Sequence, residues 1–526
     1  MKITNLVKRN RYQDSVTLMQ VAVKLRELDG MDDVALMMGT GPNLEIMREA
    51  GLLEDGVGGA GPNDLVVALR GSERTLEAAL SMLDDLLRNE VATGTGTQRG
   101  ETVPHNLSAG LAELPEANLV LISTPGIYAA AEARKALLHG KHVMIFSDNV
   151  SIEDEVALKG LAAERGLLLM GPDCGTAIIG GVPLGFANMV RRGQIGMVGA
   201  SGTGMQEVTS LIDRYGGGIS HAIGTGSRDL SSQVQAVMTL AALRALLADP
   251  ATQVVVVVSK PPGPGVLNRV LEATSGAEKP VVLMFVGTQA GSYQGQSNAS
   301  GSKRETFAST LEEAARIAVR LAYGRQVESE PILSAEEGAV NSVTTSLTVT
   351  QRYVRGLFSG GTFCYEAMWQ MRGALDGPIY SNTPVTPELA LPDVHASRGH
   401  TCLDLGSDEF TVGRPHPMID FSTRTYRMLQ EAADPEVVVL LLDVVLGFGA
   451  HPDPAGALAP TIRQAKELAS NEGRTLPVVV HICGTEGDPQ GLEKQRQTLL
   501  QAGAIIAPSN AAAAQLAASI ANRSGG

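Results

Sequence analysis

The residues best suited to chemistry lie where an apolar strand gives way to small residues, in Gly199-Ala200-Ser201-Gly202-Thr203-Gly204. A helical stripe of Val208, Leu211 and Ile212 follows at once. Glycines let the main chain approach an oxyanion, and the unpaired amides and positive dipole end of a helix stabilise it, so the stretch reads as an anion site. The plainer reading is that Ser201 caps the helix and the glycines only turn the chain.

The arrangement returns in Ser359-Gly360-Gly361-Thr362, so that Gly202-Thr203 with Glu207 and Gly361-Thr362 with Glu366 share one spacing. Downstream, Ala248-Asp249-Pro250 precedes the apolar run 254–258, and Ala433-Asp434-Pro435 precedes 437–442. Repetition in the same order predicts a duplicated α/β unit. If the two units face each other, Ser201, Gly202, Thr203 and Gly204 would hold one phosphate-like group together with Gly360, Gly361 and Thr362. Gly360 stands where Ser201 stands, which favours an amide cradle over a serine nucleophile. Gly-Lys-Ser/Thr is missing from the turn, so Mg-ATP is not expected there. Glu207 and Glu366 sit about a turn inside their helices, where a capping-box role suits a carboxylate at least as well as a place beside bound phosphate, which would repel it.

Other strand ends supply further candidates. His451 and Asp443 follow the apolar run 437–442 and are the catalytic candidates, with loop-holding as the rival role. Gly226 and Asp229, in Gly224-Thr225-Gly226-Ser227-Arg228-Asp229, are read as substrate-binding. His395, His400 and His416 lack metal spacing and nearby cysteines, so no metal site is expected.

These turns need rigid elements behind them, and the composition is that of a packed globule. Of 526 residues, 44% are apolar and 19% charged, which exceeds one ordinary domain. A net charge of −14 with 4% aromatics argues against nucleic-acid binding. The four cysteines have no framework spacing, the basic start lacks the apolar run of a signal peptide, and no stretch is apolar enough to span a bilayer. A cytoplasmic protein is expected, without membrane or nucleic-acid partners.

The fold expected is α/β in four parts. Residues 1–95 alternate strand and helix as a ferredoxin-like or ACT-like α+β module, with strands at 11–16, 33–38 and 64–69; Tyr12, Asp14 and Ser15 cap a helix or line a site. Residues 92–108 read as a linker. Residues 109–191 form a degenerate Rossmann-like, CoA-binding-type domain that lacks a first strand with a glycine-rich turn. Residues 192–325 and 349–526 form two flavodoxin-like parallel-sheet domains. The stretch 287–302 is a polar loop, and 326–348 a second linker.

Gly171-Pro172-Asp173, Gly199-Ala200-Ser201-Gly202-Thr203 with Glu207, and Gly224-Thr225-Gly226 with Asp229 resemble the α subunit of succinyl-CoA synthetase. Residues 349–526, with Gly361-Thr362 and Leu403-Asp404-Leu405-Gly406, resemble the C-terminal domain of its β subunit. The resemblance implies two facing helix N-termini that hold the phosphate of a phosphohistidine. This chain departs from it: no histidine lies between His221 and His395, where the family has Gly-His-Ala-Gly, and the first glycine turn for CoA and the ATP-grasp domain are missing.

With Tyr12-Gln13-Asp14-Ser15 and Met38-Gly39-Thr40, the whole chain is similar to the FdrA family. Its members were long described as acyl-CoA synthetases, and one has been identified with a subunit of an oxamate carbamoyltransferase of purine and allantoin breakdown. The resemblance therefore implies a carbamoyltransferase subunit converting oxalurate and phosphate to oxamate and carbamoyl phosphate. Two further protein subunits, or a homo-oligomer, go with it, and no cofactor is assigned. One alternative is a divergent acyl-CoA synthetase subunit that uses CoA and a separate nucleotide-binding partner. Another is a non-catalytic scaffold or metabolite sensor.

Overall fold

A computed structural model describes residues 2–13, 15–26, 28–53, 57–94, 104–287, 305–334, 347–348, 350–411 and 414–523. The loop 287–302 beyond its first residue, most of the linker 326–348, the middle of the linker 92–108 and Asp14 lie outside them. The chain divides into two compact units, Met1–Ala117 with Ser123–Pro125 and Asp408–Asp420, and the remainder.

The smaller unit opens with a three-stranded antiparallel sheet in the order Lys2–Lys8, Leu65–Gly71, Met31–Met38. Helices Ser15–Arg26 and Glu73–Gly94 pack on one face, around Leu18, Val21, Leu25, Leu76, Leu83 and Leu87. With helix Gly41–Glu49 between the second and third strands, this is a strand–helix–strand–helix–strand–helix run whose sheet order is that of a ferredoxin-like module, without a fourth strand among the described residues. The first strand is Lys2–Lys8 and not 11–16, because it pairs along its whole length with Leu65–Gly71, and its half-buried residues leave no alternating pattern. Its lysines reach Glu73 and Asp84 across the sheet edge. Tyr12 is exposed, ahead of the helix.

The larger unit holds three sheets. Leu119–Ile122, His142–Ile145 and Leu169–Met170 pair in parallel, joined by helices Gly126–Leu138 and Ile152–Glu164. A seven-stranded sheet runs Glu305–Ala308, Val281–Phe285, Val254–Ser259, Arg192–Gly199, Ile219–Gly224, Thr176–Ile179, Val182–Gly185. Its last two strands form a hairpin over Gly180 and Gly181, both at positive φ, as such a tight turn demands. Residues 176–185 therefore belong to the sheet of the following segment, while 119–170 form a sheet of their own. A six-stranded parallel sheet runs Ile379–Tyr380, His400–Asp404, Tyr353–Phe358, Val437–Val445, Val478–Cys483, Ile505–Ala507.

Numbered along the chain from Arg192 and, with the two-residue edge strand Ile379–Tyr380 set apart, from Tyr353, both large sheets contain the order 2-1-3-4-5. That is the flavodoxin-like order, and it occurs twice. Val254–Ser259 and Val437–Val445 are buried along their whole length, as central parallel strands covered on both faces must be. Each buried valine or leucine contributes about 1.5–3 kcal/mol through its removal from water. The edge strand Ile505–Ala507 meets Leu333, whose N–H donates to Ile506 O at 2.8 Å and whose carbonyl accepts from Ile506 N at 2.7 Å.

Candidate functional site

The first strand of each half ends in a glycine turn that opens a helix, Gly202–Arg214 in one half and Gly361–Met371 in the other. Ser201 and Gly360 occupy the same cap position in the same extended backbone, at φ −153°, ψ 105° and φ −130°, ψ 123°. Ser201 Oγ accepts from Gly204 N at 3.1 Å, so the plain capping role is real. Gly360 offers no side chain, and its turn is held from outside. Asp443 Oδ1 accepts from Ser359 N at 2.8 Å and Oδ2 from Ser359 Oγ at 2.6 Å. Arg424 in turn donates to Asp443 Oδ1 and to its carbonyl, each at 2.6 Å, and both side chains are fully buried.

The two turns meet. Ser201 Oγ lies 2.5 Å from Thr362 Oγ1. A methyl group on Gly360 would come 2.5 Å from Thr203 Cγ2, and one on Gly204 3.1 Å from Thr362 Cγ2. Only glycine lets two helix starts come this close. Ser201, Thr203 and Thr362 are buried, while Gly202 and Gly361 are half-exposed at the rim. Two groups missed in the sequence stand at that rim. A Cβ on Gly361 would run into Asp404 Oδ2 and lie 3.3 Å from Lys260 Nζ. Lys260 is an exposed residue that follows the valine strand of the first half. A lysine beside the positive end of a helix is unfavourable by itself, and the Asp404 carboxylate at the same rim offsets it. The signal for it was its position directly after the buried strand Val254–Ser259, where open α/β sheets gather their ligand residues.

The remaining candidates are held elsewhere. Asp229 is fully buried, with Oδ1 2.8 Å from Lys159 Nζ and Oδ2 accepting from Thr239 N at 2.8 Å and Thr239 Oγ1 at 2.6 Å. Both of its oxygens are engaged in a buried ion pair and a helix start, which leaves a substrate nothing to bind. Gly226, at φ +84°, lets the chain pass against Pro172 O. Asp443 braces the second turn, as the loop-holding reading has it, and Ser359 and Arg424 surround its carboxylate. His451 Nδ1 accepts from Asp453 N at 3.0 Å and its ring packs edge-on against Phe421. Those contacts hold the loop that leads into helix Pro454–Asn471.

Neither Glu207 nor Glu366 forms a capping box with its own helix start. Glu207 lies 2.7 Å from His481 Nε2, and Glu366 accepts from Leu311 N at 2.8 Å. His400 is buried, with Nδ1 accepting from Val354 N at 3.1 Å. Among the described residues no group of three His, Cys, Asp or Glu side chains is placed to hold a metal. Burial keeps the four cysteines as thiols, with Cys174 and Cys402 pushed up to about 12. They are therefore poor nucleophiles.

Comparison with known proteins places names beside these parts. Residues 357–520 match the CoA-ligase family model and residues 190–287 the CoA binding domain. Residues 1–104 match a model described as AllF, heavy metal-associated domain. That segment contains neither cysteine nor histidine. The chain is 43% identical to the uncharacterized protein YahF of Escherichia coli over 97% of each chain. It is 28% identical over 183 residues to the mitochondrial succinate–CoA ligase [ADP-forming] subunit alpha-2 of Trichomonas vaginalis, covering 33% of this chain and 58% of that one. An acetyl-coenzyme A synthetase of Ca. Korarchaeum cryptofilum aligns over 82% of this chain and 88% of its own, with 16% identity and a TM-score of 0.36.

These matches correct the expected activity. Both halves that form the facing turns fall within CoA models, and the named enzyme relative is a CoA ligase subunit. The carbamoyltransferase expectation, with carbamoyl phosphate as substrate and purine breakdown as its setting, is set aside; the chain is acyl-CoA-ligase-like. The CoA binding model lies on 190–287. No described helix is long and apolar enough to cross a membrane.

Proposed function

This chain belongs to the FdrA family together with YahF, and on that premise we propose that it is the acyl-transfer subunit of a CoA ligase. The paired glycine turns hold the phosphate of an acyl phosphate while CoA takes the acyl group. The thiol sulfur of CoA attacks the acyl carbon, and a carbon–sulfur bond forms. The bond from that carbon to the phosphate oxygen breaks, the thiol proton passes to water, and inorganic phosphate is left on the turns. Negative charge grows on the leaving phosphate, and helix-start amides with the Lys260 ammonium stabilise it where it grows. Ser201 and Thr362 set the spacing of the two helix starts.

The reading is carried by the juxtaposition of the two turns, Ser201 Oγ against Thr362 Oγ1 at 2.5 Å, within residues that match two different CoA models. It requires no phosphohistidine, in keeping with the lack of histidine between His221 and His395. A nucleotide-binding partner makes the acyl phosphate from ATP and a carboxylic acid, since neither turn has the Gly-Lys-Ser/Thr needed to cradle a nucleotide. The test supplies the chain with acyl phosphates of increasing length and CoA, and follows thioester and phosphate together. Thioester and phosphate should rise in equal amounts, and Lys260→Ala should slow both at least tenfold. No thioester from any acyl phosphate, with the partner present, overturns the reading.

A further inference from the structure

Two carboxylates outside the anion site cross between the halves in opposite directions. Glu207, on the Gly202 helix of the first half, accepts at Oε1 from Asn510 N at 3.3 Å, the start of the last helix of the second half. Its Oε2 lies 2.7 Å from His481 Nε2. Glu366, on the Gly361 helix of the second half, accepts at Oε1 from Leu311 N at 2.8 Å, the start of the last helix of the first half. Its Oε2 accepts from Asn510 Nδ2 at 2.8 Å, and that amide also donates to Phe363 O at 3.0 Å. Glu207, Glu366, His481 and Asn510 are at most 1% exposed. The first N–H groups of any helix lack an acceptor within it, so each half supplies a cap that the other needs.

We infer that this exchange of caps is the interlock that sets the two glycine turns in register, and that proton occupancy of Glu366 tunes it. Its effect on the anion rests on the function proposed above; the interlock itself does not. The charged and titratable groups facing Glu366 are Glu207 from the Gly202 helix and His481 from the strand Val478–Cys483. Glu312 and Cys483 are engaged separately, Glu312 Oε2 with Ser509 Oγ at 2.6 Å and Cys483 Sγ with Ser210 Oγ at 3.9 Å. Arg214 is paired with Glu330.

Ionising Glu366 places a second negative charge near Glu207 in a dry interface. Burial pushes its carboxyl up from 4.5 to about 7, against the lowering effect of the Leu311 and Asn510 donors, while Glu207 raises it further. A raised carboxyl gives stability that is fully present below its ordinary value and is lost as pH rises through the folded one. The window is therefore 4.5 to about 7. Across it the folding equilibrium of wild type should fall roughly 300-fold relative to Glu366→Gln.

Amide hydrogen exchange at the starts of helices Leu311–Tyr323 and Asn510–Arg523, with phosphate titration of the same samples, tests this. Glu366→Gln keeps an acceptor for Leu311 N; it should hold protection and phosphate affinity near wild type and lose the pH dependence. Glu366→Ala should raise exchange at both helix starts and weaken phosphate at least tenfold. A folded Glu366→Ala chain with wild-type protection at both starts overturns the interlock, and an unchanged pH profile in Glu366→Gln overturns the tuning. If the alanine chain does not fold, the glutamine chain and its pH profile decide. A wild-type chain that binds no phosphate but shows the exchange pattern sinks the anion site and leaves the interlock standing.

Discussion

The two halves share a strand order and a cap geometry, yet they stabilise their turns by different means. In the first half the turn is self-sufficient. Ser201 caps its own helix, and Ala200 N donates to Val258 O at 3.1 Å. In the second half the cap is a bare glycine, and Asp443 occupies the place that corresponds to Val258. Gly199 lies opposite Val258, and its counterpart Phe358 lies beside Asp443 in the equivalent strand pair. Loss of the cap hydroxyl is thus offset by a buried Asp443–Arg424 pair beneath the turn. A bare glycine there is what lets Thr203 of the first half sit against it.

A second difference lies one strand further out. Val257 pairs with Leu283 and Leu442 with Val480, which puts Met284 at the place of His481. Only Glu207 is therefore hydrogen-bonded to an imidazole, and Glu366 answers burial by holding its proton into the neutral range. Duplication preserved the scaffold while the polar groups diverged, so that the two carboxylates differ in kind.

The sharpest way to break the comparison is Arg424→Met. It leaves Asp443 buried with only Ser359 as partner and should cost about 3–5 kcal/mol in denaturant unfolding. Val258→Ala in the first half removes no polar partner and should cost about 0.5–2 kcal/mol through its lost methyl groups; equal losses would show that the two turns are supported alike. Next comes His481→Met, which gives the second half the residue of the first. Glu207 is then left without its neighbour in a dry site, and stability at neutral pH should fall by about 1–3 kcal/mol. Last is the exchange of caps, which includes the smallest change. Ser201→Gly should cost only a few tenths of a kcal/mol and Ser201→Ala about 1 kcal/mol. Gly360→Ser meets Thr203 and should cost about 1–3 kcal/mol, with weaker phosphate binding by calorimetry. A harmless serine at 360 would mean that the turns are not in contact in solution.

Much of this was legible in the chain. The glycine turns, their shared spacing and the valine strands are local patterns, and strand–turn–helix is decided by neighbours a few residues apart. The facing of the turns could be posed from the duplication. The braces could not, since Arg424 reaches Asp443 from a helix onto a strand and Glu207 finds His481 across 274 positions. Asp443 looked like a catalytic group because a polar residue ending a buried strand reads alike whether it serves a substrate or a loop. The Gly180-Gly181 hairpin had its signal in the sequence and escaped notice. The Lys2–Lys8 strand gave none, as its apolar residues do not alternate.

Leu333 closes the open side of the six-stranded sheet by hydrogen-bonding Ile506 in both directions. The three residues Ile505–Ala507 would otherwise present unpaired amides and carbonyls to any passing chain, the usual route to intermolecular strand stacking. A short piece of connecting polypeptide thus doubles as a guard against self-association. Cleaving the chain ahead of Leu333 should leave a protein that aggregates on storage well before it loses its helical signal.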